Sequence, residues 1–187
     1  SCLALGYACA NDFSSSFLHS PDSIKNATIS QAIALTTNTM SNFEKLSLVS
    51  DNMLLFCAGF LLEASRRFHV VLAGGTQMVA CLLIADKLRE DVLMQLRADN
   101  ITLATTGWVM HDEHSDIKHL LSLLSYTPHA LYTEFNFAHT EIPILKKYDE
   151  GEAKEGVGAG AALAYANQNG LTNQELLEAV ELILYMM

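Results

Sequence analysis

The chain is short of charge, of basic residues and of long apolar runs, and each shortage excludes something. Only 17% of its 187 residues are charged and half are hydrophobic, a balance at odds with disorder. The longest apolar block, residues 53–62, is well short of the ~20 residues that a membrane helix needs. Basic residues number 11 against 21 acidic ones, for a formal net charge of -10. Duplex nucleic acid and anionic membranes both require a basic footprint, so neither is expected as a partner. A small anionic ligand stays open, because it needs only a few local donors. The four cysteines, Cys2, Cys9, Cys57 and Cys81, form no C-x-x-C pair. Cys57 and Cys81 fall in strongly apolar stretches, where a free thiol behaves as a small hydrophobe. With no signal-peptide pattern in view, a reduced, cytoplasmic protein is expected. Repeats, low-complexity linkers, a P-loop, a serine nucleophile elbow and a paired-carboxylate motif are also missing.

What is present alternates. Ser20-Pro21-Asp22 reads as a helix start, with a serine cap and proline at the first position, and the helix is expected to run to about Phe43. Residues 51–67 read as a second helix, apolar almost all round and therefore buried. His69-Val70-Val71-Leu72-Ala73 is a short strand running into Gly74-Gly75-Thr76 and a helix to about Leu88. Strands are expected at 101–105 and 130–134, and helices at 115–126 and 140–148. A glycine-rich turn at 155–160 opens an alanine-rich helix to Gln168, which Gly170 can end. Thr172-x-x-Glu175 is a capping box for the last helix. Short strands, apolar on both faces and separated by helices, predict an α/β fold: a Rossmann-like parallel sheet with helices on both faces. One unit over residues 1–187 is expected. In such sheets ligands bind at the carboxyl ends of the strands, here the loops after Leu72, Thr105 and Glu134.

Four segments could carry chemistry. Gly74, Gly75, Thr76 and Gln77 follow a strand and open a helix, so backbone N–H groups could face an anion; the alternative is a tight turn that binds nothing. Glu155 precedes Gly156 and Gly158 at a helix start, where a carboxylate could act as a general base or simply be solvated beside the helix dipole. His111-Asp112-Glu113-His114 lacks the spacing of a zinc motif, and a polar rim loop offering His111 or Asp112 to a ligand fits better. Ser14, Ser15 and Ser16 with Lys25 could hold a phosphate, or be an exposed loop with a solvated lysine.

Together these segments resemble the nicotinate-nucleotide–dimethylbenzimidazole phosphoribosyltransferase family, most closely its divergent archaeal and cyanobacterial branch. The matching stretches are VVLAGGTQM at 70–78, TTGWVMHDEHSD at 105–116 and YDEGEAKEGVGAGAA at 148–162. Ser14–Ser16 and Lys25 fall where that family has its phosphate-side loop and lysine. The resemblance implies phosphoribosyl transfer from nicotinate mononucleotide to a benzimidazole-type base, with Glu155 taking the proton from the incoming base. It implies no metal and no cofactor, small-molecule substrates, and a homodimer. Two departures bear on the substrate: Val157 stands where the family has a hydroxyl, and Ala73-Gly74-Gly75 where it has Asp-Gly-Phe. Ser1 begins abruptly in apolar sequence that looks like the end of a buried helix. The chain is therefore expected to be the C-terminal part of a longer protein and inactive alone. A non-catalytic nucleotide- or base-binding relative is the alternative.

Overall fold

The computed structural model describes residues 1–13, 22–152 and 158–187, without the side chains of 22–25. Ser14, Ser15, Ser16, the Lys25 side chain, Glu155 and Gly156 therefore lie outside the described residues.

Three parallel strands form one sheet in the order β1 (Val70–Ala73), β2 (Ile101–Thr106), β3 (His129–Thr133). The register pairs Ala73 with Ala104 and Thr106 with Thr133, so all three carboxyl ends share a rim. The expected strands at 69–73, 101–105 and 130–134 are present to within a residue. All six residues of β2 are buried, which requires cover on both faces. One layer is built on α4 (Thr76–Val92), which packs against α3 (Asn52–Ala64), α2 (Asn42–Val49) and α6 (Ile117–Ser122). Ile101 and Leu103 of β2 join this core. The other cover is α8 (Ala159–Gln168), which contacts all three strands. That approach is close: a Cβ on Gly160 would lie 2.5 Å from the Thr105 backbone, so only a glycine lets the first turn of α8 sit on the end of β2. The remaining elements are α1 (Asp22–Ala34), α5 (Gly107–Met110), α7 (Pro143–Asp149) and α9 (Asn173–Met186). No described helix is long and apolar enough to cross a membrane.

Two expectations about helices are corrected. The first helix does not continue to Phe43. It stops at Ala34, and the run that follows holds Thr36-Thr37-Asn38-Thr39, residues that lose side-chain freedom in a helix or bond the backbone outside one. The chain re-enters helix at α2 through a capping box of Ser41 and Glu44. Nor is the second helix buried all round. In α3, Phe56 is 73% exposed and Phe60 58%, their rings stacked 6.4 Å apart, while Ala58, Leu61 and Leu62 face the core. The helix buried on nearly every side is α4, where each residue from Val79 to Asp86 is buried. Burial pushes the Cys81 thiol there up to about 12, as suits an inert core residue. The one carboxylate in that stretch, Asp86, is satisfied by Arg89 Nε at 2.8 Å and by the N–H and hydroxyl of Ser125 at 2.8 and 2.6 Å.

The turns and helix ends follow local rules. In the turns of residues 1–6 the Tyr7 N–H bonds the Cys2 carbonyl and the Gly6 N–H that of Leu3, with Gly6 at φ +91°, a left-handed position suited to glycine. Gly170 at φ +87° follows α8, and Thr172 with Glu175 caps α9 from both sides.

Candidate functional site

A cleft of about 600 Å³ opens where β2 and β3 end. Its walls come from three segments: α5 and the turn after it, Gly107 to His114; Glu134 to Asn136 after β3; and Tyr148 to Gly151 at the end of α7. The lining residues include Asp112, Glu113, Glu134, Asp149 and Glu150, and no lysine or arginine lines the cleft among the described residues.

Glu134 is the first residue past β3. Its Oε1 meets His111 Nε2 at 2.8 Å, and its backbone carbonyl accepts from Asn173 Nδ2 at 2.8 Å. Its Oε2 lies over Gly107, where an added Cβ would be 2.5 Å away. Gly107 therefore makes room for the carboxylate. His111 in turn stands edge-on to the Tyr132 ring, 5.6 Å between centroids. Both members of the pair are open to solvent, with side chains 62% and 66% exposed, so the pair alone contributes little to stability.

Beside the pair lies a cluster of rings. Trp108 stacks on Phe137 at 5.5 Å and 9°, meets Phe135 edge-on at 6.0 Å and lies tilted against Tyr148 at 5.6 Å. One carboxylate orders it: Asp149 accepts Trp108 Nε1–H and the Phe137 N–H, each at 2.8 Å. Behind the rings an apolar groove of about 420 Å³ runs between α7, α8 and α9. Trp108, Phe135 and Tyr148 line both spaces. Such a surface suits a flat aromatic ligand, since ring stacking adds to area burial.

The structure brings some of the expected residues together and separates others. His111 and Asp112 both line the cleft. Asp112 also organises its own loop, accepting from the His114 N–H and the Ser115 hydroxyl. His119, five residues past His114, lies apart from the cleft lining, its Nδ1 paired with Asp12 at 2.9 Å, and among the described residues no three His, Cys, Asp or Glu gather as metal ligands. Gly74 and Gly75 form the β1–α4 turn. A Cβ on Gly74 would meet Met78 Cγ at 2.5 Å, and one on Gly75 would meet Val109 at 3.2 Å, so protein side chains occupy the space that these glycines leave. Thr76 is buried and Gln77 exposed, and both line a separate apolar pocket of about 330 Å³ with Cys2, Cys9 and Phe13. Gly158 takes φ +77° at the start of α8.

Sequence reasoning missed Glu134, Trp108, Asp149 and Gly107. Two signals were available: Glu134 directly follows a strand, at the rim where ligands bind, and residues 132–148 hold Tyr132, Phe135, Phe137 and Tyr148 in a chain only 8% aromatic.

No protein-family model matches the chain. Curated relatives do. A UPF0284 protein of Microcystis aeruginosa is 33% identical over 95% of this chain and 49% of its own length. That of Methanocaldococcus jannaschii is 32% identical over 96% and 51%, and that of Sulfolobus acidocaldarius 34% over 97% and 50%. The chain thus spans about half the length of the curated relatives it matches, whose shared name states no activity.

Proposed function

The chain belongs to the UPF0284 family, and on that premise we propose that the protein transfers a phosphoribosyl group from nicotinate mononucleotide to a benzimidazole-type base. One observation carries the reading. Both flanks of the segment containing Glu155, the cleft-lining residues 148–151 and the glycine at 160, lie at the carboxyl rim around the end of β2. That is where a parallel α/β sheet binds its ligands. The stacked rings beside the cleft suit a flat heteroaromatic, and the resemblance of residues 148–162 to the family motif names the base.

In this reading a benzimidazole nitrogen attacks the anomeric carbon of the ribose from the face opposite nicotinate. The bond from that carbon to the pyridinium nitrogen breaks, its electron pair neutralises the pyridinium, and nicotinate leaves. The configuration inverts. The ring N–H of the incoming base gives its proton to the Glu155 carboxylate, so the product base is uncharged. The acidic lining of the described cleft disfavours a phosphate there, so the phosphate falls to Lys25 and the Ser14–Ser16 loop. The protein acts as a homodimer in this scheme.

A second reading, a binding protein that kept the fold and lost the chemistry, is favoured by the β1–α4 turn, whose glycines are filled by Met78 and Val109 rather than left open to a ligand. One experiment separates the two: full-length protein is incubated with nicotinate mononucleotide and 5,6-dimethylbenzimidazole, and the mixture is searched for the riboside phosphate by mass spectrometry. Product supports transfer. Nucleotide binding without product supports the second reading.

A further inference from the structure

We infer that Glu134, oriented by His111, binds the vicinal hydroxyls of a ribose. The inference rests on the reading of the cleft as a nucleotide site and deepens it. Three features of Glu134 point the same way. It is the first residue past β3, and a carboxylate at the end of a Rossmann-like strand is well placed to accept from ribose hydroxyls. Its Oε1 is held by His111 Nε2 at 2.8 Å, His111 is braced edge-on by Tyr132, and Asn173 anchors the Glu134 carbonyl. Its Oε2 has no hydrogen-bond partner among the described residues, and the glycine at 107 is what lets it sit where it does.

The chemistry of the surroundings narrows the ligand. With Asp112, Glu113, Asp149 and Glu150 also lining the cleft and no lysine or arginine among the described lining residues, the described lining disfavours an anionic group, whereas hydroxyl donors are accepted. The rings of Trp108 and Phe135 beside the pair leave a ribose at Glu134 next to a surface for its base. A carboxylate oxygen that accepts the ribose 2-hydroxyl tells ribose from deoxyribose, because the deoxy compound lacks that donor. His111 is a positioning residue here: it fixes the carboxylate and need not touch the sugar.

The test compares ribose 5-phosphate with 2-deoxyribose 5-phosphate by calorimetry on the full-length protein. The unsubstituted protein is expected to bind the ribose compound about 10- to 100-fold more tightly, the worth of one hydrogen bond to a charged group. In Glu134→Gln and Glu134→Ala the ratio is expected to fall toward one, with circular dichroism unchanged. His111→Ala is expected to lower the ratio in part, and His111→Gln, which can still donate to the carboxylate, to restore it. A ratio near one in the unsubstituted protein, a ratio unaffected in both Glu134 variants, or no binding of either compound overturns the inference. Riboside phosphate formation with a ratio that ignores Glu134 removes the ribose assignment and leaves the transfer reading standing. A Glu134-dependent ratio without product does the reverse.

Discussion

The core around α4 and the aromatic quarter around Trp108 solve the burial problem in opposite ways. Around α4 the side chains are aliphatic and closed off: Leu82, Leu83, Ile84, Ile101, Leu103 and Leu120 are all within 1% of full burial. Around Trp108 the side chains are mostly rings, two open spaces of about 600 and 420 Å³ adjoin them, and a single carboxylate holds the geometry. The first region gains its stability from dense packing and tolerates no voids. The second forgoes that density, and what it keeps is a surface that a ligand can complete. The comparison teaches where to look for function in this fold: at the rim where the packing loosens and polar groups begin to fix single side chains.

The comparison can be tested by substitutions on both sides of it. The largest expected effect belongs to the rim. Glu155→Gln in the full-length protein is expected to lower kcat about 10²–10⁴-fold with little change in nucleotide affinity. Steady-state kinetics would show this, and Glu152→Gln, which removes only the exposed pair with Lys147, serves as the control with near-normal turnover. Equal rates for Glu155→Gln and the parent would reduce the glycine turn to a helix start. Next comes the core: Leu83→Ala is expected to cost about 2–5 kcal/mol of stability in chemical denaturation, from lost burial and the cavity left behind.

Gly160→Ala joins the two regions, because its Cβ would press on the β2 backbone. It is expected to cost about 1–3 kcal/mol, and a neutral result would mean that α8 can lift from the sheet. The smallest effect on stability is expected from Asp149→Asn, about 1 kcal/mol for one hydrogen bond left unmade at a partly open site. Its mark should instead be spectroscopic, since Trp108 is the sole tryptophan of these 187 residues and its emission reports the ring cluster. If Asp149→Asn costs as much stability as Leu83→Ala and leaves the emission unchanged, the distinction between the two regions fails.

Much of the fold was legible along the chain. The three strands, the glycine turn into α4, the capping box of α9 and the glycine that ends α8 all lie where pattern and turn chemistry put them, because each is decided by residues within a few positions of one another. The break after Ala34 was readable too, in the Thr-rich run and in the Ser41-x-x-Glu44 capping box, both local signals. Which of two apolar helices is the buried one was not readable. α3 and α4 are both rich in apolar residues, and only the packing of α2, α3 and α6 around α4 leaves Phe56 and Phe60 outside. The candidate site divides in the same manner. His111 and Asp112 were visible as a polar rim loop. Glu134 and Asp149 were not, since each matters through a partner well away in sequence, 23 residues back to His111 and 41 back to Trp108.

The sequence by itself therefore determined the alternation of strand and helix, the parallel sheet and the rim formed by its strand ends, because hydrophobic period and turn residues act locally. Only the tertiary structure decided which side chains meet at that rim. The meeting of Glu134 with His111 over Gly107, and of Asp149 with Trp108, depends on strand register and on the close seating of α8, which are properties of packed surfaces rather than of any one segment.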